Sequence, residues 1–108
     1  MKEIKAIIQP HMADKVIDGL RETMELPGLI VSTVNAFGGA PGDARSEQIE
    51  DEPMTQIEIV VPDALAETVI ATIVRMVRTG RSGDGKVFVR EVADVIRIRD
   101  GDRGESVL

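Results

Sequence analysis

One pattern occurs twice in this chain of 108 residues, and it confines the fold more than any single motif does. Residues 3–9 (EIKAIIQ) alternate, with Ile4, Ala6 and Ile8 on one face, and predict a strand that Pro10 stops. Ala13, Val16, Ile17, Leu20 and Met24 then recur at helical spacing and make a single apolar stripe, which Leu26-Pro27-Gly28 ends. The β-branched run LIVSTVNAF (29–37) predicts the next strand. The second half starts over. MTQIEIVV (54–61) predicts a strand with Ile57, Ile59 and Val61 on one face; Pro62 stops it as Pro10 stopped the first, and Asp63 stands where an N-cap is expected. Leu65, Val69, Thr72, Ile73 and Met76 form the second helical stripe, ended by Gly80, and VFVREV and VIRIR are the remaining strand-like runs. Two strand–helix–strand halves of this size predict an α+β fold of the ferredoxin-like βαββαβ type, an antiparallel sheet with two helices on one face.

Two helices cover one sheet face and leave the other open. The positions expected on that second face include apolar Ile7, Ile30 and Val60, a surface better placed against another subunit than in water. The stretch GGAPGDARSEQIEDEP (38–53) has no apolar periodicity and is rich in Gly, Pro and charge, so it predicts a long loop within a single domain over 1–108, with 100–108 as a tail.

Composition then removes several function classes. Without cysteine there is no disulfide framework, thiolate nucleophile or Cys-ligated metal, and one histidine cannot build a His-rich cage. Two phenylalanines are the only aromatics, too few for a base-stacking surface, and a net charge of −6 argues against nucleic-acid partners. No apolar run could span a bilayer, and Met1 leads into Lys2-Glu3 with no apolar leader, so the expectation is a cytoplasmic protein that is not membrane-embedded. The charge is unevenly placed. Asp43 to Glu52 holds five acids and one base, whereas Arg75 to Arg103 holds eight bases and five acids, which reads either as a local anion site or as a solvated face.

The densest candidate chemistry is Gly80-Arg81-Ser82-Gly83-Asp84-Gly85-Lys86. Its G-x-x-x-x-G-K spacing matches part of a P-loop, but Val87 stands where a hydroxyl would hold magnesium, and the order helix–loop–strand is the reverse of a P-loop's. Three glycines still let backbone N–H groups approach an anion, and Lys86 adds a charge; the same residues also suit a plain helix-to-strand turn. In a strand, Arg97 and Arg99 would leave one face together, with Ile96 and Ile98 on the other, as two guanidinium forks for a phosphate or a carboxylate, or as a solvated edge stripe. Phe37-Gly38-Gly39 reads as a hinge or a close backbone approach. Glu58 faces away from its isoleucine neighbours and could accept a hydrogen bond. His11 is a candidate metal ligand only with carboxylate help, and the scattered methionines are read as core filler. No arrangement convicts a catalytic residue, so no enzyme activity and no obligatory cofactor are expected.

In order and spacing, IKAIIQP, LPGLIVSTVNAFG, IEIVVPD, TGRSGDGKVFV and VIRIR resemble the PII signal-transduction family over nearly the whole chain except 39–53. The resemblance implies a homotrimer, an adenine nucleotide (ADP, ATP or AMP) in each cleft between subunits, regulation of nitrogen utilisation, and a long T-loop that contacts a partner such as a membrane transporter or efflux pump. It implies that Gly83, Asp84, Gly85 and Lys86 form the phosphate-binding loop, that Arg97 and Arg99 reach the phosphates from the neighbouring subunit, and that Gly28, Leu29 and Ile30 contact the adenine with Glu58 and Val60 alongside. It further implies that Gly38 and Gly39 lie at the base of the T-loop and that Ile7 is an apolar wall of the cleft. Departures are visible: the loop is short and lacks tyrosine, Gly39 and Ala40 replace the arginine and glutamine that follow Phe-Gly in members sensing 2-oxoglutarate, and Met54 replaces a basic residue. The alternative is a PII-like trimer that binds a small anion such as bicarbonate, or a metal, instead of sensing nitrogen through 2-oxoglutarate.

Overall fold

The computed structural model describes residues 1–37 and 52–108. Its elements run β1 (Lys2–Ile8), α1 (Ala13–Thr23), β2 (Leu29–Ala36), β3 (Glu52–Val61), α2 (Asp63–Val77) and β4 (Gly85–Glu91). The four strands form one sheet in the order β2-β3-β1-β4, and every adjacent pair is antiparallel. This is the ferredoxin-like arrangement the internal repeat predicts.

Period-two alternation fills the core as expected. Ile4, Ala6 and Ile8 of β1 lie opposite Ile59, Ile57 and Thr55 of β3, and these residues point under the helices with almost no solvent exposure. From above, α1 contributes Val16 and Leu20, and α2 contributes Ala66, Val69, Ile73 and Val77. Gly19 of α1 is buried against Met76 of α2, where an added Cβ would stand 2.8 Å from the Met76 terminal methyl, so the two helices meet closely. Met54 is buried, and Met12, Met24 and Met76 pack against the core cluster, in keeping with their reading as filler. On the opposite face, cross-strand rows mix charge and apolar groups: Ile30, Glu58, Lys5 and Phe88 lie side by side, and Ile30 is 63% exposed.

The structure corrects several expectations. Pro10 begins a one-turn 3₁₀ helix (Pro10–Met12) that leads into α1, a place where its missing N–H costs nothing. Asp63 is the first residue of α2 and not its cap; Pro62 occupies the cap position without a side-chain bond, and the Asp63 carboxylate instead meets the Met1 ammonium at 3.0 Å and Lys2 at 3.7 Å. Helix α2 ends at Val77, three residues before Gly80. Strand β3 begins at Glu52, so Glu52 and Pro53 belong to the sheet, opposite Ala36 and Asn35, and not to the expected 38–53 loop. Pro53 is tolerated there because β1 ends opposite Thr55, so that among the described residues this part of β3 is flanked on one side only. Gly38, Gly39 and the rest of 38–51 lie outside the described residues.

The largest correction concerns VIRIR. It is not a strand: Ile96 makes one isolated antiparallel bridge to Arg103, and residues 98–100 turn. The Arg97 amide donates to Asp102 O at 2.8 Å, Gly101 N to Arg97 O at 2.8 Å, and Gly104 N to Val95 O at 2.9 Å, closing a local hairpin that Gly101 permits with φ +76°. Among the described residues no strand pairs with this segment, and alternation without a partner does not make a ladder.

Gly85 is where α2's exit turn joins the sheet. Its φ is +109°, and a Cβ there would lie 1.9 Å from the Ile7 carbonyl oxygen and 3.2 Å from the Ile8 Cα, both backbone atoms that cannot give way. Gly85→Ala is expected to destabilise the fold by at least about 2 kcal/mol, the strain of a forbidden backbone plus a displaced strand pair. A urea midpoint equal to wild type would contradict this.

Candidate functional site

The glycine-rich turn is shaped by its own side chains. Arg78 leaves α2 with extended backbone, and Gly80 turns the chain with φ +85°. The Asp84 carboxylate accepts the backbone N–H groups of Thr79 at 2.7 Å and Gly80 at 2.9 Å, as well as the Thr79 hydroxyl. Arg81 N donates to Thr79 Oγ1 at 3.3 Å, and Asp84 N to Arg81 O at 3.2 Å. The Thr79 hydroxyl first, and then the Thr79, Gly80 and Arg81 amides, hold the Asp84 carboxyl below its ordinary range. Asp84 thus acts as an internal strut of the turn, with its charge directed at the loop's own amides.

The turn is also tied to the start of β3, two strands away at the same end of the sheet. Gln9, the residue after β1, donates its Nε2 to Gly83 O at 2.7 Å and lies 3.4 Å from Glu52 Oε1, the first residue of β3. Gln9, His11, Glu52, Thr79, Arg81 and Ser82 wall a cleft of about 580 Å³ against this turn. Gly85 and Lys86 lie inside β4 and not in the loop; Lys86 is opposite Ile7 in the register and exposed.

A second group sits elsewhere. Gly28, Ile30, Glu58 and Val60 line a cleft of about 260 Å³ with Glu3 and Leu108. Leu29 does not join them: it pairs with Ile59 and packs against the core. Glu58 accepts the side-chain amide of Gln56, as its outward orientation foretold. Val60 is level with Glu3 and Lys86 with Ile7, on strands separated by β1. With strand rise and spacing taken into account, Gly28 and Lys86 are on the order of 20 Å apart. One chain does not bring the two groups together.

Arg97 and Arg99, in the hairpin after β4, face carboxylates of their own chain. Arg97 Nη1 donates to Asp100 Oδ2 at 2.9 Å and lies 3.8 Å from Asp102; Arg99 lies 3.8 Å from Asp100. Arg103 is bound to Asp94 at 2.7 Å. The Asp102 amide first, then the Arg97 guanidinium, lowers the Asp100 carboxyl, and Arg103 does the same for Asp94. Because the segment turns, the expected shared strand face of Arg97 and Arg99 does not form, and Ile98 between them is 98% exposed. His11 is exposed in the Pro10–Met12 turn, and among the described residues no three His, Cys, Asp or Glu side chains gather as a metal cluster.

Sequence reasoning missed Gln9, Thr79 and Asp100. The Thr79-x₄-Asp84 spacing across a glycine turn was the available signal for the strut, since short oxygen side chains bind nearby amides in turns. Nothing in the sequence signals Gln9, whose role depends on which strand end it reaches.

A family model described as nitrogen regulatory protein P-II matches residues 1–102. The chain belongs to the P-II family. It is 40% identical over 113 aligned positions to nitrogen regulatory protein P-II 1 of Escherichia coli (strain K12) and 41% identical over 113 to nitrogen regulatory protein P-II of Rhodospirillum rubrum, with all of each chain covered. A crystal structure of Arabidopsis thaliana PII bound to citrate is 36% identical and superposes with a TM-score of 0.83 over 99% of this chain and 91% of that one. Every candidate residue, from Ile7 to Arg99, falls inside the segment the P-II model matches, whereas Arg103 and the residues after it lie beyond it.

For this P-II chain the Asp84 strut carries a pH signature. Its folded-state carboxyl is depressed, so its contribution is fully present above the unfolded value, about 3.9, and is lost as pH falls through the lower folded value. In an NMR titration the Thr79 and Gly80 amide signals are expected to move together, with a midpoint below the ordinary aspartate value of about 3.9. A midpoint at or above about 3.9 would show that the carboxylate is not held as described.

Proposed function

We propose that this P-II chain is a cytoplasmic, single-domain regulator that assembles as a homotrimer, binds ADP, ATP or AMP in clefts between subunits, and transmits the occupant's identity to a membrane transporter or efflux pump. It has no chemistry of its own and needs no obligatory cofactor. The observation that carries the reading is the Gly83–Gln9–Glu52 link. The glycine turn, where phosphates would lie against Gly83, Gly85 and Lys86, is hydrogen-bonded through one side chain to Glu52, the residue that follows the 38–51 segment. A ligand that shifts the turn therefore pulls on the foot of that segment, which is the physical requirement for a ligand-biased two-state element.

Two further observations favour assembly. The halves of the candidate site lie at opposite ends of the strands, so a complete cleft takes the glycine turn and Ile7 from one copy and Gly28, Ile30, Glu58, Val60, Arg97 and Arg99 from the next. The open sheet face and the exposed Ile96 and Ile98 supply apolar surface for that contact. The citrate in the Arabidopsis structure supports an anion as occupant. Docking of the acidic segment Asp43–Glu52, with Gly38 and Gly39 as its hinge, on a basic partner surface would be salt-sensitive.

Titration calorimetry of ADP, ATP and AMP into wild type and Lys86→Ala, with light scattering for mass, tests the reading. Expected are a particle of three 11.7 kDa chains and nucleotide binding weakened about tenfold by the substitution, the loss of one charge-assisted contact. A monomer, or no heat with any nucleotide, would overturn it. Added 2-oxoglutarate is expected to leave the nucleotide affinities unchanged, because Gly39 and Ala40 offer no polar or charged side chain to hold it.

A further inference from the structure

We propose that Asp100 is a resident anion on Arg97, which an incoming phosphate group must displace, and that it thereby sets how highly charged a ligand the C-terminal hairpin accepts. The inference rests on the reading above, in which Arg97 and Arg99 face a nucleotide's phosphates.

Three arginines and three aspartates make up the charge of residues 94–103, so the hairpin offers a polyphosphate no net positive charge as it stands. Of its ion pairs with Arg97 and Arg99, only Arg97–Asp100 is a hydrogen bond, at 2.9 Å; the Arg97–Asp102 and Arg99–Asp100 approaches are 3.8 Å. Asp100 is held in place from behind, because its Oδ1 accepts the Asp102 amide at 3.0 Å in the turn closed by Gly101. Both partners of the pair are about one-third exposed, so the contact is neither fully screened nor sealed. A carboxylate fixed there occupies one of the guanidinium's donors and repels further negative charge, and repulsion grows with each charge the ligand carries. A triphosphate is therefore penalised more than a monophosphate.

The test is titration of AMP, ADP and ATP into wild type, Asp100→Asn, Asp102→Asn and Arg97→Ala. Asparagine keeps an oxygen for the Asp102 amide; Asp100→Ser, which does the same, repeats the measurement should asparagine disturb the turn. Expected for Asp100→Asn is ATP binding tightened about fivefold, the scale of a partly exposed ion pair, with AMP changed less than about twofold and Asp102→Asn giving a clearly smaller gain. Equal gains from Asp100→Asn and Asp102→Asn would reduce the effect to overall charge and overturn the proposal. Unchanged or weaker ATP binding by Asp100→Asn, with Arg97→Ala still weakening it, would overturn the proposal and leave the nucleotide reading standing. No nucleotide binding by any of the proteins would overturn both.

Discussion

One sheet face must be kept dry by only two helices, and the rest of the structure follows from that burial. The residues that meet it are small in number and tightly interdependent: Ile4, Ala6 and Ile8 in the middle strand, Ile57, Ile59 and Val61 beside them, and the inward stripes of α1 and α2 above. Because the helices also touch one another at Gly19 and Met76, the layer has no slack, and the turns that deliver each helix back to the sheet are set by its geometry. The glycine turn before β4 is such a turn. Its position against Ile7, its left-handed Gly85 and its internal Asp84 strut are consequences of returning α2 to the edge of β1. The candidate site is thus built on a join the core requires, which gives it rigid support on one side and solvent on the other.

Much of this was legible in the residues. Period-two alternation located β1 and β3 and their buried faces, and 3.6-residue stripes located both helices, because burial on one side imposes those periods directly. Pro10 and Pro62 marked the ends of strands accurately enough, though Pro10 starts a helical turn as well as stopping a strand. VIRIR shows what alternation leaves open. Alternation reports which way side chains could point, not whether a neighbouring strand exists to bond the backbone, and here local hydrogen bonds and a glycine turn take over. The bounds of β3 were misjudged for a related reason: Glu52 and Pro53 have poor strand propensity, and pairing with Asn35 and Ala36 overrides it. In the candidate site, glycines and cations were readable as types, but Gln9 and Asp100 owe their roles to distances in space.

The electrostatics are more economical than the residue counts suggest. The basic third of the chain looks like an anion-seeking surface, yet Arg97, Arg99 and Arg103 each face an aspartate of the same segment, and Asp84 is enclosed by amides of its own loop. What remains uncommitted near the glycine turn are Arg78 and Arg81, with Lys86 on the adjoining strand, for which no ion pair is present among the described residues. The local field is therefore set by which pairs are already satisfied, and less by net charge.

The register of β1 has a temporal meaning as well as a spatial one. Lys2 pairs with Val61 on one side and with Glu91 on the other, so the first strand finds its neighbours only among residues made much later. Such long sequence separations make sheet closure slow, because a large loop must be ordered before any ladder bond forms. As the chain emerges, α1 and the hairpin partner β2 exist before the strand that connects them, and the apolar residues of β1 wait without cover. Closing β1 onto β3 and β4 therefore waits for the late strands, and the segment between β2 and β3 lies within the stretch of chain that this closure spans.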